Sequence, residues 1–327
     1  MGKILTISIA AYNVENYIKE TLDSLVASKY INELEIFVVD DGGKDNTLSI
    51  AQQYAEKFPD SIFPIHKENG GYGSTVNYSM KHATGKYFKL LDGDDWFNTQ
   101  GLDSLIDILK LSTTDVIVNQ IMTGSSNVDK KLITFPDNII NTDLEIMKVG
   151  VKQPIGMWAI TYKTQILRDS GLILPEKVFY TDQVFCTIPF SVAKTIKFLD
   201  FDVYFYRIGR DGQSVSKESR IRNIDQTLFL CEKLVTFAKD FKDNHYIQMR
   251  VSYYYLAAIR SILLLPITAK TLMLLKNYER KIYSISPSIY NQVEVLGKFG
   301  ILIKFLRKSK YLLFWCLKLV PRGMPNW

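Results

Sequence analysis

Runs of apolar, β-forming residues alternate with amphipathic stretches through the first third of the chain. Ile4–Ile9, Leu34–Val39, Ser61–His66, Tyr87–Leu91 and Asp115–Ile121 read as strands, largely apolar and short enough to be buried. Between them, Glu15–Ser28, Asp45–Phe58, Gly73–His82 and Gly101–Leu111 carry apolar residues at helical spacing; in the first, Ile18, Leu22, Leu25 and Val26 share one face. Strands alternating with helices predict an α/β domain: a mostly parallel sheet flanked by helices.

From about Ile133 to Arg207 the pattern is more mixed. Trp158–Tyr162 and Ile196–Tyr206 read as strands, with a helix expected over Asp182–Val192. After Ser219 the chain becomes helical, over Ile221–Phe241, Tyr246–Leu265, Lys270–Ile282 and Pro287–Leu296, which places a boundary near Lys217. Tyr253–Leu275 is apolar enough to be tested as a membrane span. Arg260, Pro266 and Lys270 interrupt it, so a buried helix pair is the expectation. Residues 298–319 mix Phe299, Leu302, Ile303, Leu306, Leu313, Phe314 and Leu317 with Lys304, Arg307, Lys308 and Lys310, with Trp315 and Trp327 close by. A basic amphipathic tail with aromatic anchors fits the surface of an anionic membrane. A helix packed on the body with a solvated basic face has the same pattern.

Composition changes this picture little. With 327 residues, 47% hydrophobic and 23% charged, the chain can bury an ordinary core. The net charge of +6 would admit nucleic acid as a partner, but its placement argues against that. Seven Lys or Arg and no acidic residue lie between Leu296 and Trp327, leaving the remainder close to neutral. Cys186, Cys231 and Cys316 are odd in number, far apart and without metal-ligand spacing, which fits a reducing cytoplasm. The opening residues enter a strand pattern with no signal-peptide signature. His66, His82 and His245 share no ligand spacing and receive no role.

Candidate chemistry collects where the strands end. In an open parallel sheet, ligands bind beyond the strands' carboxyl ends. The first strand runs into Ala10-Ala11-Tyr12-Asn13, the second into Asp40-Asp41-Gly42-Gly43-Lys44-Asp45-Asn46-Thr47, the third into Asn69-Gly70-Gly71-Tyr72-Gly73, and the fourth into Asp92-Gly93-Asp94-Asp95. Each of the first three has a plain alternative as a turn, a helix cap or a flexible loop. Asp92, Asp94 and Asp95 are harder to explain without a cation, since three carboxylates within four residues repel one another unless water separates them; a solvated acidic turn is the alternative. Oxygen ligands alone suit Mg²⁺ or Mn²⁺.

Together these segments resemble glycosyltransferase family 2, inverting enzymes of the GT-A fold, including those that build bacterial cell-surface polysaccharide. The resemblance is dense over about Leu5–Phe97, in Ser8–Asn13, Val38–Thr47, Asn69–Asn77 and Leu90–Asp95, and thins toward Ser214. Ala11 stands where the family usually has Pro, and Gly43 where it has Ser. The resemblance implies a GT-A domain over 1–217, with its nucleotide-sugar half over about 1–97 and its acceptor half over about 98–217. A helical region, 218–327, follows. It implies a nucleotide-sugar site formed by Ala10, Tyr12, Asn13, Asp40, Asp41, Asn69, Gly70, Gly71, Asp92 and Asp94, with Asp94 and Asp95 as ligands of Mn²⁺ or Mg²⁺.

Further on, Phe179-Tyr180-Thr181-Asp182-Gln183 resembles the family's acidic pair ahead of a helix. Thr181 replaces one acid and leaves Asp182 as the candidate catalytic base; a plain helix cap is the alternative. Trp158 is a candidate for the acceptor floor or the core. Arg207 and Arg210, in a segment resembling the family's active-site loop, are candidates for the diphosphate or an exposed basic turn. The implied reaction is a single displacement at the anomeric carbon, with UDP the family's usual nucleotide. The expected partners are a nucleotide sugar and a saccharide or lipid-linked acceptor, at the inner face of the cell membrane, with a homo-oligomer open. An inactive membrane-recruited scaffold of the same fold is the competing class. A nucleotidyltransferase would need a basic, glycine-rich triphosphate loop, which Ala10–Val14 is not.

Overall fold

The computed structural model describes residues 2–124, 130–131, 139–151, 153–208 and 216–319. Arg210 and most of its loop, Arg322 and Trp327 lie outside these residues. The chain forms two compact units, one from residues 1–149 and 155–211, the other from 150–154 and 212–327.

In the first unit the strands are β1 (Leu5–Ala11), β2 (Leu34–Asp40), β3 (Ile62–His66), β4 (Tyr87–Asp92), β5 (Trp96–Phe97), β6 (Val116–Gly124), β7 (Lys130–Lys131), β8 (Leu144–Glu145), β9 (Ile160–Lys163) and β10 (Thr195–Arg207). The helices are α1 (Ile18–Val26), α2 (Thr47–Lys57), α3 (Tyr72–His82), α4 (Thr99–Leu111), α5 (Thr164–Asp169) and α6 (Asp182–Phe185). The sheet runs β3-β2-β1-β4-β9-β6-β10-β5. β3, β2, β1 and β4 are parallel neighbours, as are β6 and β10. Between these groups β9 runs antiparallel to both β4 and β6, which makes the sheet mixed.

Leu5, Ile7 and Ile9 of β1 are fully buried, and so are the alternate residues Thr6 and Ser8. Both faces of the strand are therefore covered. The polar pair is satisfied in place, Ser8 donating to Ser79 of α3 at 2.7 Å and Thr6 to Glu35 Oε2 of β2 at 2.5 Å. Helix α1 turns Ile18, Leu22 and Leu25 inward. Helix α4 starts where Asn98 accepts the backbone N–H of Gln100 and Gly101.

Two features depart from the pattern reading. The helix expected over Asp182–Val192 stops at Phe185, and a 3-10 turn follows over Ile188–Ser191. Pro189 has no N–H to continue the ladder, and its ring excludes the carbonyl of Phe185. Strand β10 shifts register on β6 between Phe198 and Tyr204. This irregularity bends the strand, so that Tyr204 and Phe205 pair with Phe97 and Trp96 of β5. The end of β10 thereby lies beside the Asp92–Asp95 turn.

The second unit is helical: α7 (Lys217–Arg222), α8 (Ile224–Ala238), α9 (His245–Leu264), α10 (Ala269–Ile285), α11 (Pro287–Gln292) and α12 (Gly297–Lys308), then a 3-10 segment over Leu312–Leu319. The single helix expected over Ile221–Phe241 is divided at Asn223, whose backbone is not helical. Ile247, Val251, Tyr255, Ala258, Ile259 and Ile262 of α9 are fully buried, and none of the described helices is long and apolar enough to cross a membrane. Arg307, read from sequence as part of a basic face, has its side chain turned inward instead, 7% exposed. Its guanidinium donates to Glu279 Oε1 at 2.6 Å and to the Tyr290 carbonyl at 2.8 Å. Ile303, Leu306 and Phe314 face the core, whereas Ile301, Phe305, Leu312, Leu313 and Trp315 are exposed.

Candidate active site

The parallel strands end on one rim, and hydrogen bonds tie their loops together. Asn13, at φ 53°, accepts the Lys44 N–H through Oδ1 at 2.8 Å, joining the β1 and β2 loops. The Gly93 N–H donates to the Ala10 carbonyl at 3.1 Å and joins the β4 loop to β1. Tyr12 is 52% exposed, with its ring in solvent at this rim.

Asp40 is buried, accepting the Gly43 N–H at 3.1 Å and contacting His66 Nδ1 at 2.6 Å. Asp41 is buried too. Its Oδ1 accepts from the Gly70 N–H at 2.9 Å and from Lys67 Nζ at 3.0 Å, and its Oδ2 accepts from the Gly71 N–H at 2.7 Å. Asn69 donates to the Asp41 carbonyl at 2.8 Å. This carboxylate shapes the glycine loop from within. Gly71 has φ +80° with the Lys177 backbone against it, a place where a side chain would be strained.

At the end of β4, ligand oxygens of Asp92, Asp94 and Asp95 lie within 4.8 Å of one another. Asp95 is buried, with Oδ2 accepting from the Tyr204 hydroxyl at 2.6 Å and Oδ1 from the Arg207 N–H at 2.8 Å. Burial and the Asp94 charge raise its pKa to about 7, against the pull of Tyr204 and Arg207. Asp92 is held well above the carboxylate range by burial, then by Asp95 and Asp94. Its Oδ1 is buried with no hydrogen-bond partner. A hard cation fits this group, since it would serve the orphaned oxygen and offset the mutual repulsion.

Tyrosines surround the acids; the sequence reading placed Tyr72 in a candidate loop and Tyr206 beside Arg207 but gave none of the three a role. The Tyr204 hydroxyl bridges the Asp92 N–H, at 3.2 Å, and Asp95. Tyr72, first residue of α3, sits 3.1 Å from Met157 Sδ and is held well above its ordinary pKa by burial, Asp92 and Asp182. Tyr206 is raised by burial and then by Asp95, Asp92 and Asp94, its ring 5.2 Å from Trp158. The alternation of Tyr204 and Tyr206 with Phe205, just before Arg207, was the available signal, but a strand core has the same pattern.

Asp182 begins α6, following Tyr180 at φ 64°, and accepts the Gln183 amide at 2.9 Å. It lies near enough to Asp92 to contribute to the rise in that group's pKa. Trp158 sits in a 3-10 turn before β9; its carbonyl accepts from Lys89 Nζ at 2.8 Å. Arg207 donates from Nε to the Asp94 carbonyl at 2.8 Å and pairs with Glu20, its guanidinium 4.6 Å from the Trp96 ring. It braces the acidic turn from behind.

Residues 6–160 match the family model described as glycosyl transferase family 2. An uncharacterized glycosyltransferase of Rickettsia typhi is 44% identical over 116 residues, 35% of this chain and 35% of that protein. The chain thus spans about a third of that relative's length. The Staphylococcus aureus poly(ribitol-phosphate) beta-N-acetylglucosaminyltransferase TarS is 26% identical over 213 residues, 64% of this chain and 36% of that protein. A TarS 1–349 structure with UDP-GlcNAc superimposes with a TM-score of 0.71 at 19% identity, covering 97% of this chain and 91% of that one. A mannosyltransferase from Pyrobaculum calidifontis, with GDP-Man and Mn²⁺, gives 0.53 at 17% identity over 94% and 88% of the two chains. The architecture is the GT-A fold with a helical C-terminal region. Over residues 6–160, a little under half of its length, the chain is similar to glycosyltransferase family 2.

Proposed function

We propose that the chain transfers a sugar from a nucleotide sugar, a UDP-sugar, to an acceptor hydroxyl with inversion at the anomeric carbon. One observation carries this reading: the Asp92–Asp94–Asp95 cluster lies at the strand ends of a domain similar to family 2, with Asp182 near enough to act on Asp92. Tyr12, Asn13 and the Asn69–Gly71 loop shaped by Asp41 line the nucleotide side, with Ala10 and Asp40 beneath them. Asp92 and Asp94 face the ribose and donor sugar, and Asp94 and Asp95 would hold Mn²⁺ or Mg²⁺. Such an ion supplies Lewis-acid stabilisation of the departing diphosphate. Asp182 takes the proton from the acceptor hydroxyl, and Trp158 with Tyr206 forms an aromatic surface for the acceptor sugar. Arg207 serves the diphosphate indirectly, by fixing the Asp94 backbone.

On this reading residues 1–97 bind the donor, 98–217 bind the acceptor and 218–327 form an appended helical region. The acceptor is a membrane-associated saccharide of cell-surface polysaccharide or teichoic-acid type. Support comes from the exposed Ile301, Phe305, Leu312, Leu313 and Trp315 beside exposed Lys298, Lys308, Lys310 and Lys318, a combination suited to the inner, anionic face of the cell membrane.

Thermal unfolding with UDP, dTDP, GDP or CMP, with and without Mn²⁺ or Mg²⁺, tests the donor site. A ligand held by the folded state at about 100 times its Kd stabilises by about 2.7 kcal/mol. UDP is expected to raise the midpoint with metal present, and Asp94→Asn to lose the metal-dependent part. If no nucleotide shifts the midpoint under any metal condition, the transferase reading gives way to that of an inactive scaffold.

A further inference from the structure

The helical unit contains a cleft of about 420 Å³ between α10 and the end of α12. Its charge is unbalanced. The acid on its floor, Glu279, is 2% exposed and already paired with Arg307 and hydrogen-bonded by the Tyr311 hydroxyl. Arg307 also pairs with Glu294 at 3.3 Å, so these three groups together carry one negative charge, and around them stand three further cations: Lys276, Arg280 and Lys310. None of the three forms an ion pair among the described residues; Lys276 lies 5.2 Å from the Tyr311 ring. Arg280 and Lys310 are exposed, so neither was driven here by burial.

The tyrosines add direction. Tyr283 and Tyr290 meet edge to face with centroids 5.1 Å apart on the cleft wall, and each phenol can donate a hydrogen bond. The chain also adopts an unusual backbone here. Lys310 and Tyr311 are consecutive non-glycine residues in the left-handed region, at φ 50° and 68°. The Tyr311 N–H donates to the Leu306 carbonyl at 2.7 Å, and its hydroxyl anchors to Glu279. Backbone in this region costs on the order of 1–3 kcal/mol per residue and persists only where surrounding contacts enforce it. The outcome is that Lys310 is turned onto the cleft rim.

We propose that this cleft is a phosphate site: Lys276, Arg280 and Lys310 neutralise a phosphate mono- or diester, and the tyrosines bound the organic group it carries. Three convergent cations, with the neighbouring carboxylates Glu279 and Glu294 both engaged by Arg307, match that charge, and arginine presents a planar fork suited to phosphate oxygens. The phosphate could be the headgroup of a phospholipid or a soluble phosphate ester, and the experiment distinguishes the two. The site stands apart from the sugar-transfer reading and does not depend on it.

The full chain is titrated with sn-glycerol 3-phosphate by calorimetry, and sedimented with phosphatidylglycerol and phosphatidylcholine vesicles. The variant is Arg280→Gln/Lys310→Gln, at two exposed positions. A control, Lys239→Gln/Lys242→Gln, removes the same charge from exposed positions outside both the cleft and the basic tail. Each lost charge-assisted hydrogen bond weakens binding by about tenfold. Saturable glycerol phosphate binding, lost in the cleft variant and kept in the control, assigns a soluble ester. Binding to phosphatidylglycerol vesicles alone, with the same dependence on the cleft pair, assigns the lipid headgroup. No saturable binding to either probe, or equal losses in the two variants, overturns the proposal.

Discussion

A carboxylate serves as a base only if its charged form survives its surroundings and its oxygen reaches the proton it takes. Asp182 is half-buried at the start of a four-residue helix, with a neighbouring amide as donor, which suits that task. Asp182→Asn keeps the shape and removes the proton acceptor, so turnover is expected to fall by about 10²–10⁴-fold. UDP binding should stay unchanged; equal turnover in the two proteins would remove Asp182 from the mechanism. Tyr204 acts differently, through the acids it positions. Tyr204→Phe leaves the Asp92 N–H and Asp95 Oδ2 each short of a partner in a buried place. The expected loss is about 1–3 kcal/mol of stability, read by urea unfolding. The acids were legible in the sequence because clustered carboxylates have few structural explanations. Tyr204 and Tyr206 were not, since a tyrosine in an apolar run reads as core until strand register shows what its hydroxyl meets; Tyr72 stood in a legible glycine loop, but nothing there shows which acids its hydroxyl faces.

At the scale of elements, β4 carries a fully buried lysine three residues before the acids. Lys89 Nζ donates to Asn119 Oδ1 at 3.0 Å and to the carbonyls of Trp158 and Ile160 at 2.8 and 3.3 Å, stapling β4 to the start of β9. These acceptors are neutral, and burial lowers the lysine pKa from 10.5 to about 7. The folded state therefore holds this proton less tightly than the unfolded chain. Between those two values unfolding takes up a proton, so the contribution of Lys89 to stability rises with pH and is lowest, and flat, below about 7. Compared with Lys89→Met at about pH 6.5, 8 and 9.5, the wild type should gain by up to about 1.4 kcal/mol per pH unit. A pH-independent gap would mean that Lys89 stays charged in the fold. Helix α4 offers a second test. Gly→Ala in an exposed helix stabilises by about 1 kcal/mol, but a Cβ on Gly101 would collide with the Asp202 carbonyl of β10. Gly101→Ala is thus expected to destabilise, by about 1–3 kcal/mol, in urea unfolding. Periodicity showed where the strands and helices lie because burial imposes it. It carries no sign of strand direction, so the antiparallel β9 was not legible. The early end of the helix at Asp182 was readable in principle, from Pro189.

For the molecule as a whole, the decisive property is where the charge sits. A net charge of +6 spread evenly would act as a diffuse field, whereas here it collects in the final helical segment. The structure refines that count, because burial removes Arg307 from the exposed basic set. What remains exposed is lysine interleaved with apolar side chains, Lys308 and Lys310 before Leu312 and Leu313, and Trp315 before Lys318. The two components of this surface have separate signatures. Lysine attraction to anionic headgroups is screened within about 10 Å at 0.1 M salt and about 3 Å at 1 M, whereas insertion of apolar side chains persists. Binding to phosphatidylglycerol vesicles should therefore weaken strongly, without vanishing, as salt rises. Leu313→Ser/Trp315→Ser removes two exposed apolar groups, each worth about 1.5–3 kcal/mol if fully buried. This variant is expected to lose the salt-resistant part, at least about tenfold, while its thermal midpoint stays the same because neither side chain belongs to the core. If it sediments with vesicles as the wild type does at high salt, these side chains do not enter the bilayer. The acceptor would then have to be sought among saccharides away from the membrane.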